Sequence, residues 1–288
     1  MKKNKEASLA RFSLWAQRTV IYTVLTILTI IILFLLYILM INSSRSHVEI
    51  QRGFSILPGQ TFVQNFNSLI NNQNLKFFSA MRNSLLLAVI MGGLTTYFSA
   101  LTAYGIHIYN FKGKNAIHLF IVGVMMVPSQ IASIGLVTIL YTIGWVDNYW
   151  VIILPSIASP ATFFFMKQYL ESILPFEVIE SGRVDGASEI GIFHRLVLPM
   201  ISPAIAVQFI FSFVASWNSL FYPNLILTSQ NKRTIPIIIS QLTSSSPERF
   251  DMGPVYMVMV LAIIPMLIMY LIFSHKIIKG VTLGSVKG

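Results

Sequence analysis

The 288-residue sequence contains no cysteine, which excludes disulfides, thiolate nucleophiles and cysteine-ligated metals and leaves the redox compartment open. Charge is scarce too. Asp, Glu, Lys and Arg make up 10% of the chain, far below the roughly 25% of soluble domains. Ten acids stand against 20 bases, and none of either falls near the middle of a long apolar run. Ion-coupled carriers commonly hold ionisable groups, or discontinuous helices in symmetrical halves, at that depth. An intramembrane enzyme would need a base to serve a nucleophile, and the apolar runs offer serines without a partnering His, Asp or Glu. The five histidines, His47, His107, His118, His194 and His275, make no H-E-x-x-H or similar ligand spacing. No G-x-x-x-x-G-K-[ST] loop is present, so the chain has no phosphate loop for ATP.

What fills the sequence is apolar surface: 55% hydrophobic residues and a mean hydropathy of +0.72. The expected class is all-α, a polytopic membrane protein surrounded by lipid. The net charge of +10 is thinly spread at the ends of apolar runs, as orientation signals are, which argues against nucleic-acid binding.

Residues 1–19 carry Lys2, Lys3, Lys5, Arg11 and Arg18 against the single acid Glu6. The uncharged run from Val20 to Ile41 is long enough to cross a hydrocarbon core of about 30 Å. It exceeds the apolar core of a cleaved signal peptide, so the reading is an uncleaved first helix. Further crossings are expected over about Ala80–Tyr109, Ile117–Tyr141, Trp150–Leu170, Ile201–Leu227 and Pro254–Ile278, with kinks at Pro155 and Pro160. The sequence thus reads as a cytoplasmic segment 1–19, a six-helix domain 20–278 with a cytoplasmic loop at 171–200, and a cytoplasmic tail 279–288. With both termini inside, the Lys and Arg residues divide as 13 inside and 7 outside.

The loop carries the most information. Pro175 suits the start of a helix, Glu177 and Glu180 lie near its positive end, and Gly182 and Gly186 weaken it, so it should stop near Gly186. Ser188 can cap a second helix on which Ile190, Phe193 and Val197 share a face fit for a membrane surface, with Pro199 stopping it. Glu180-Ser181-Gly182, three residues, Gly186, nine residues, Leu196, one residue and Leu198-Pro199 resembles the "EAA" loop of bacterial ABC importer permeases, E-A-A, three, G, nine, I, one, L-P. The chain departs from that pattern at Ser181, Gly182 and Leu196. Phe176 to Ser188, Trp217-Asn218, Lys232-Arg233-Thr234-Ile235-Pro236 and the ending Lys279 to Gly288 resemble further motifs of the carbohydrate group, which includes the smaller membrane subunit of maltose importers.

The resemblance implies a permease of the bacterial plasma membrane that moves a sugar or oligosaccharide by alternating access. It implies as partners a second homologous permease, two ATPase subunits and an extracellular solute-binding protein. ATP and Mg belong to the ATPase subunits, and this chain binds no cofactor and is no enzyme. Glu180, Ser181, Gly182, Asp185, Gly186, Ala187, Leu198 and Pro199 are the implied ATPase-coupling residues. A non-sugar solute, or a secondary carrier or channel, is the alternative.

On the fifth apolar run, Gln208, Ser212, Ser216 and Ser219 recur on one helical face that ends at Trp217 and Asn218. This stripe either lines a substrate pathway or packs helix on helix through serine hydrogen bonds.

Overall fold

The computed structural model describes residues 2–244 and 250–285, with side chains described for 15–244 and 250–274. Among the described residues it is helical, without strands. The chain divides into two units, Met1–Leu69 with Pro247–Val260, and Ile70–Ser246 with Leu261–Gly288.

The first unit contains α1 (Lys2–Ser43), the short α2 (His47–Gln51) and nearly all of α3 (Phe62–Ile70). Ser46 and Glu49 cap α2 reciprocally: the Ser46 amide donates to Glu49 Oε2 at 2.8 Å, and the Glu49 amide to Ser46 Oγ at 3.3 Å. Asn65 Nδ2 donates to the carbonyls of Ser43 and Arg45, tying α3 to the end of α1. Tyr37 donates to the Ile56 carbonyl at 2.6 Å, fixing the intervening loop against α1.

The second unit is organised on α4 (Phe77–Ile108). The chain continues through α5 (Lys114–Val124), α6 (Ser129–Thr142), α7 (Trp150–Ile157), α8 (Pro160–Ile173) and α9 (Phe176–Val184). After α10 (Glu189–Ile192) come a π-helical turn at Phe193–Val197, α11 (Leu198–Met200) and α12 (Ser202–Trp217). The series closes with α13 (Phe221–Ile226), α14 (Ile235–Thr243) and, from Leu261 on, α15 (Met252–Ser285), whose earlier residues belong to the first unit. Helices α12, α8 and α7 pack on α4. Close approach is possible because Gly92 leaves room: a Cβ there would stand 3.3 Å from the Phe209 ring and the Phe213 amide.

Trp15–Ser43, Phe77–Ile108, Trp150–Ile173 and Met252–Ser274 are long and apolar enough to cross a membrane. Two bent pairs, Lys114–Val124 with Ser129–Thr142 and Glu189–Met200 with Ser202–Trp217, make six if each pair is one span. The third expected helix is therefore not continuous but bends by 94° between α5 and α6. Pro128 cannot donate to the Val124 carbonyl and disfavours helical geometry at Val127, so the helix breaks there. Pro160 likewise acts on Ser159 and opens α8 at its N-terminus. The fifth expected helix stops at Trp217 rather than Leu227, and Pro223, lacking an N–H, begins a separate short helix with its neighbours. The last helix runs on to Ser285, into the segment expected as a tail, and Val286–Gly288 lie outside the described residues.

Candidate functional site

Residues 171–200 form a compact helical hairpin beneath α4 and α8. Helix α9 starts after Pro175 and ends in a Schellman motif: the Gly186 amide donates to the Arg183 carbonyl, and the Ala187 amide to the Gly182 carbonyl, both at 3.0 Å. Gly186 has φ +74°, the left-handed geometry that a residue without Cβ adopts cheaply. Ser188 caps α10 by accepting from the Gly191 amide at 3.2 Å, as its position in the sequence suggests.

The second arm then departs from a regular helix. The Leu198 amide reaches back five residues to the Phe193 carbonyl, and Pro199 follows immediately without an N–H. This wider turn aligns residues five apart, so Ile192 and Val197 point inward with Phe193. The expected face of Ile190, Phe193 and Val197 is corrected accordingly: Ile190 is 72% exposed, and its place is taken by buried Ile192. The chain bends by 83° after Met200 into α12.

The buried residues of the hairpin join one apolar core with the C-terminal parts of α4 and α8. Ile179, Ile192, Phe193 and Val197 pack with Tyr104, Met166 and Leu170. A polar clasp reinforces it at the surface. Arg183 Nε meets Glu189 Oε1 at 2.7 Å, Tyr109 donates to Glu189 Oε2, and the Arg183 guanidinium lies over the Tyr109 ring, 5.9 Å from its centroid. The bond to Glu189 pushes the Arg183 guanidinium up, and partial burial followed by the Glu189 contact pushes the Tyr109 phenol up. The clasp ties both arms of the hairpin to the end of α4.

The eight coupling positions read from the sequence are thus brought together in one hairpin, but they face two ways. Glu180, Ser181, Asp185, Gly186 and Ala187 are exposed along α9 and its tip, and Val184 beside them is 87% exposed. Gly182 is buried against the second arm. Leu198 is half-buried and Pro199 exposed at the bend. An exposed ridge of small, acidic and apolar groups on a rigid base can seat in a groove of another protein.

The α12 stripe is placed differently. Gln208 is buried and Ser212 half-buried, Ser216 Oγ donates to Met91 Sδ on α4 at 3.1 Å, and Ser219 lies beyond the helix end. Trp217 is 2% exposed and stacks on Phe213, with ring centroids 5.9 Å apart. Asn218 is exposed at the C-cap. Ser216 thus meets α4, and Trp217 stacks within its own helix.

A second constellation was not foreseen. Asp147 accepts from the Thr228 and Ser229 amides, each at 3.0 Å, from Ser229 Oγ and from Lys232 Nζ at 3.1 Å. Partial burial pushes its carboxyl up, but the bonds from Ser229 and Lys232 outweigh this and hold it at about 2. From α4, Asn83 donates to the Asn231 and Arg233 carbonyls, and Ser84 Oγ accepts from the Ile235 amide. The Lys232–Pro236 motif is thereby held from two sides. The available signal was that Asp147 is the lone acid in a short connection without a basic residue. No group of three or more His, Asp or Glu poised for a metal occurs among the described residues.

Comparison with known proteins identifies the fold and the family. Residues 96–279 match the model of the binding-protein-dependent transport system inner membrane component. The arabinooligosaccharides transport system permease protein AraQ of Bacillus subtilis is 36% identical over 78% of this chain and 78% of its own length. The trehalose/maltose transport system permease protein MalG of Thermococcus litoralis is 29% identical over 82% of this chain and 85% of its own. A solved chain from a bacterial ABC transporter involved in the import of the acidic polysaccharide alginate shares the fold, with a TM-score of 0.76 at 20% identity over 89% of this chain and 94% of that one. With the family match covering more than half of its length, the chain belongs to the binding-protein-dependent transport system inner membrane components.

Proposed function

We propose that the chain is the membrane-spanning permease subunit of an ATP-driven importer for a sugar or oligosaccharide, working by alternating access. The observation that carries this is the hairpin of residues 171–200, with its rigid inner face on α4 and α8 and its small-residue ridge free. The names of the relatives support the substrate class.

In this reading α1, α4, α5–α6, α7–α8, α12–α13 and α15 are six crossings, and both termini are cytoplasmic. The 13-to-7 division of Lys and Arg supports that orientation. The hairpin then faces the cytoplasm, where two ATPase subunits bind ATP and Mg. Closure of that pair pushes on α9, and the shared core with Met166, Leu170 and Tyr104 passes the displacement to α8 and α4 as rigid bodies. A second homologous permease completes the pathway, and an extracellular solute-binding protein docks on the outer loops. The tail at 279–288 contacts the ATPase subunits.

The test is reconstitution in liposomes with the partner permease, both ATPase subunits and the binding protein. ATP-dependent uptake of a neutral saccharide is expected. Uptake of only a non-sugar solute, or uptake without the ATPase subunits, would refute the assignment.

A further inference from the structure

Two breaks in the membrane-spanning helices converge on a single cavity. The α5–α6 break at Met125–Pro128 and the α7–α8 break at Ala158–Ser159 both line a space of about 790 Å3, which Met91 on α4 and Tyr222 on α13 help to close. Ligand sites for small molecules commonly fall between about 300 and 1,000 Å3. Irregular backbone within a bilayer is tolerated only where protein buries it or where it lines a wet cavity, because lipid cannot satisfy its N–H and C=O groups. The polar lining fits the second case. It consists of the hydroxyls of Ser129, Ser133, Ser156, Ser159 and Tyr222 and the amide of Gln130. Several hydroxyls donate to backbone carbonyls, Ser133 to Ser129 and Tyr222 to Val151, which leaves their oxygen lone pairs open to a donor in the cavity. Helix α6 begins after Pro128 with no side-chain cap.

We infer that this cavity is a saccharide-contacting site contributed by this subunit, selective for neutral sugars; the inference rests on the importer reading above. The lining groups are hydroxyl acceptors and a primary amide, which pair with sugar hydroxyls, set among apolar side chains that suit the C–H faces of a sugar ring. No Asp, Glu, Lys or Arg lines it, so the chain offers no charge to balance a uronate carboxylate, whose desolvation would be costly. The polar stripe on α12 contributes none of the lining. The substrate-facing groups of this subunit therefore lie on α6, α7, α8 and α13.

The absence of cysteine makes the test direct. Ser133→Cys and, as an outer-loop control, Gln73→Cys are placed in the full transporter in liposomes and labelled with a membrane-impermeant methanethiosulfonate. The probes are maltose, lactose, trehalose and arabino-oligosaccharides, with a galacturonate oligomer as the acidic counterpart. A saccharide that the complex transports should slow labelling of Ser133→Cys at least threefold, leave Gln73→Cys unchanged, and find no match in the acidic oligomer. Gln130→Leu should raise the uptake KM about fivefold, the worth of one neutral hydrogen bond, with kcat and ATP hydrolysis within twofold of wild type. Labelling unaffected by a transported saccharide, or an unchanged KM in Gln130→Leu, overturns the site. A thiol that is never labelled in the complex means that protein fills the cavity, and overturns it too. A wild-type complex that takes up no saccharide strikes the importer reading itself, a result distinct from an unprotected thiol in a complex that transports.

Discussion

Gly182 on one arm of the hairpin faces Leu196 on the other, and a Cβ on Gly182 would lie 3.0 Å from Leu196 Cδ1 and 3.1 Å from Ile192 Cγ1. These two positions depart from the family's loop pattern, alanine to glycine and isoleucine to leucine, and in the fold they meet. The smaller residue on α9 makes room for the differently branched one opposite. Gly182→Ala should stay within about 1 kcal/mol of wild type: alanine favours the helix by about 1 kcal/mol, and this is offset by the few tenths of an ångström that Leu196 and the buried, β-branched Ile192 must give to the new methyl. Gly182→Leu should overpack the hairpin by about 1–3 kcal/mol. Thermal unfolding of the purified complex, compared between the two variants, checks this.

Gly186 differs from Gly182 in having open space where its Cβ would be, so its constraint within the chain is its φ of +74° alone. On the proposed coupling role, Gly186→Asp should insert normally in the membrane and lose ATPase co-purification, because it adds bulk and charge at the exposed tip proposed to seat on the ATPase subunit. A loss of about 3 kcal/mol there would weaken docking more than a hundredfold. Glu180→Ala, the removal of one exposed charge, should be milder. Equal pull-down of the ATPase subunit by Gly186→Asp and wild type, with full uptake, would remove the coupling assignment.

The Asp147 latch should respond to acid. A carboxyl held at about 2, below its ordinary 3.8, stabilises the folded loop above about pH 4 and loses that contribution as pH falls toward 2. The effect is on the order of 1 kcal/mol once solvent screening is allowed for. Amide exchange at Thr228 and Ser229 should quicken, relative to intrinsic rates, between pH 6 and pH 3. In Asp147→Asn the same amides should show lower protection at pH 6 and little further change on acidification.

Trp217→Ala should lower recovery of the complex together with uptake, since removing a buried indole stacked on Phe213 costs about 3–5 kcal/mol. Trp217→Phe should keep most of both. A well-assembled Trp217→Ala complex with depressed uptake would instead return this residue to the transport pathway.

Arg183 and Glu189 are both more than 40% exposed, so solvent screens the pair and it should contribute little to stability. Arg183→Gln is therefore expected to leave the melting temperature nearly unchanged while loosening the tie between the hairpin and α4. The measurable result is a lower ratio of solute transported to ATP hydrolysed.

The sequence by itself determined the membrane class, because scarcity of charge and long apolar runs are properties of composition that no packing can reverse. It also determined the local chemistry of the hairpin. Pro175, Gly186 and Ser188 act through their own backbone or the next few residues, so their helix start, left-handed stop and cap could be read in place. Only the tertiary structure decided which faces are buried and where long helices break. The π turn at Phe193–Val197 aligns Val197 with Ile192, five residues back, a pairing invisible to a 3.6-residue period, while Ile190 stays exposed. Trp217 suited a wet pathway and a packed core equally in the sequence, and only the fold shows its ring buried and stacked on Phe213. Asp147 and Lys232 stand 85 residues apart in the chain, and only the fold brings one beside the other. The cavity at Ser129 and Ser156 has the same origin: the break at Pro128, not expected from the sequence, and the one before Pro160 line one space only because the fold sets α5 beside α8.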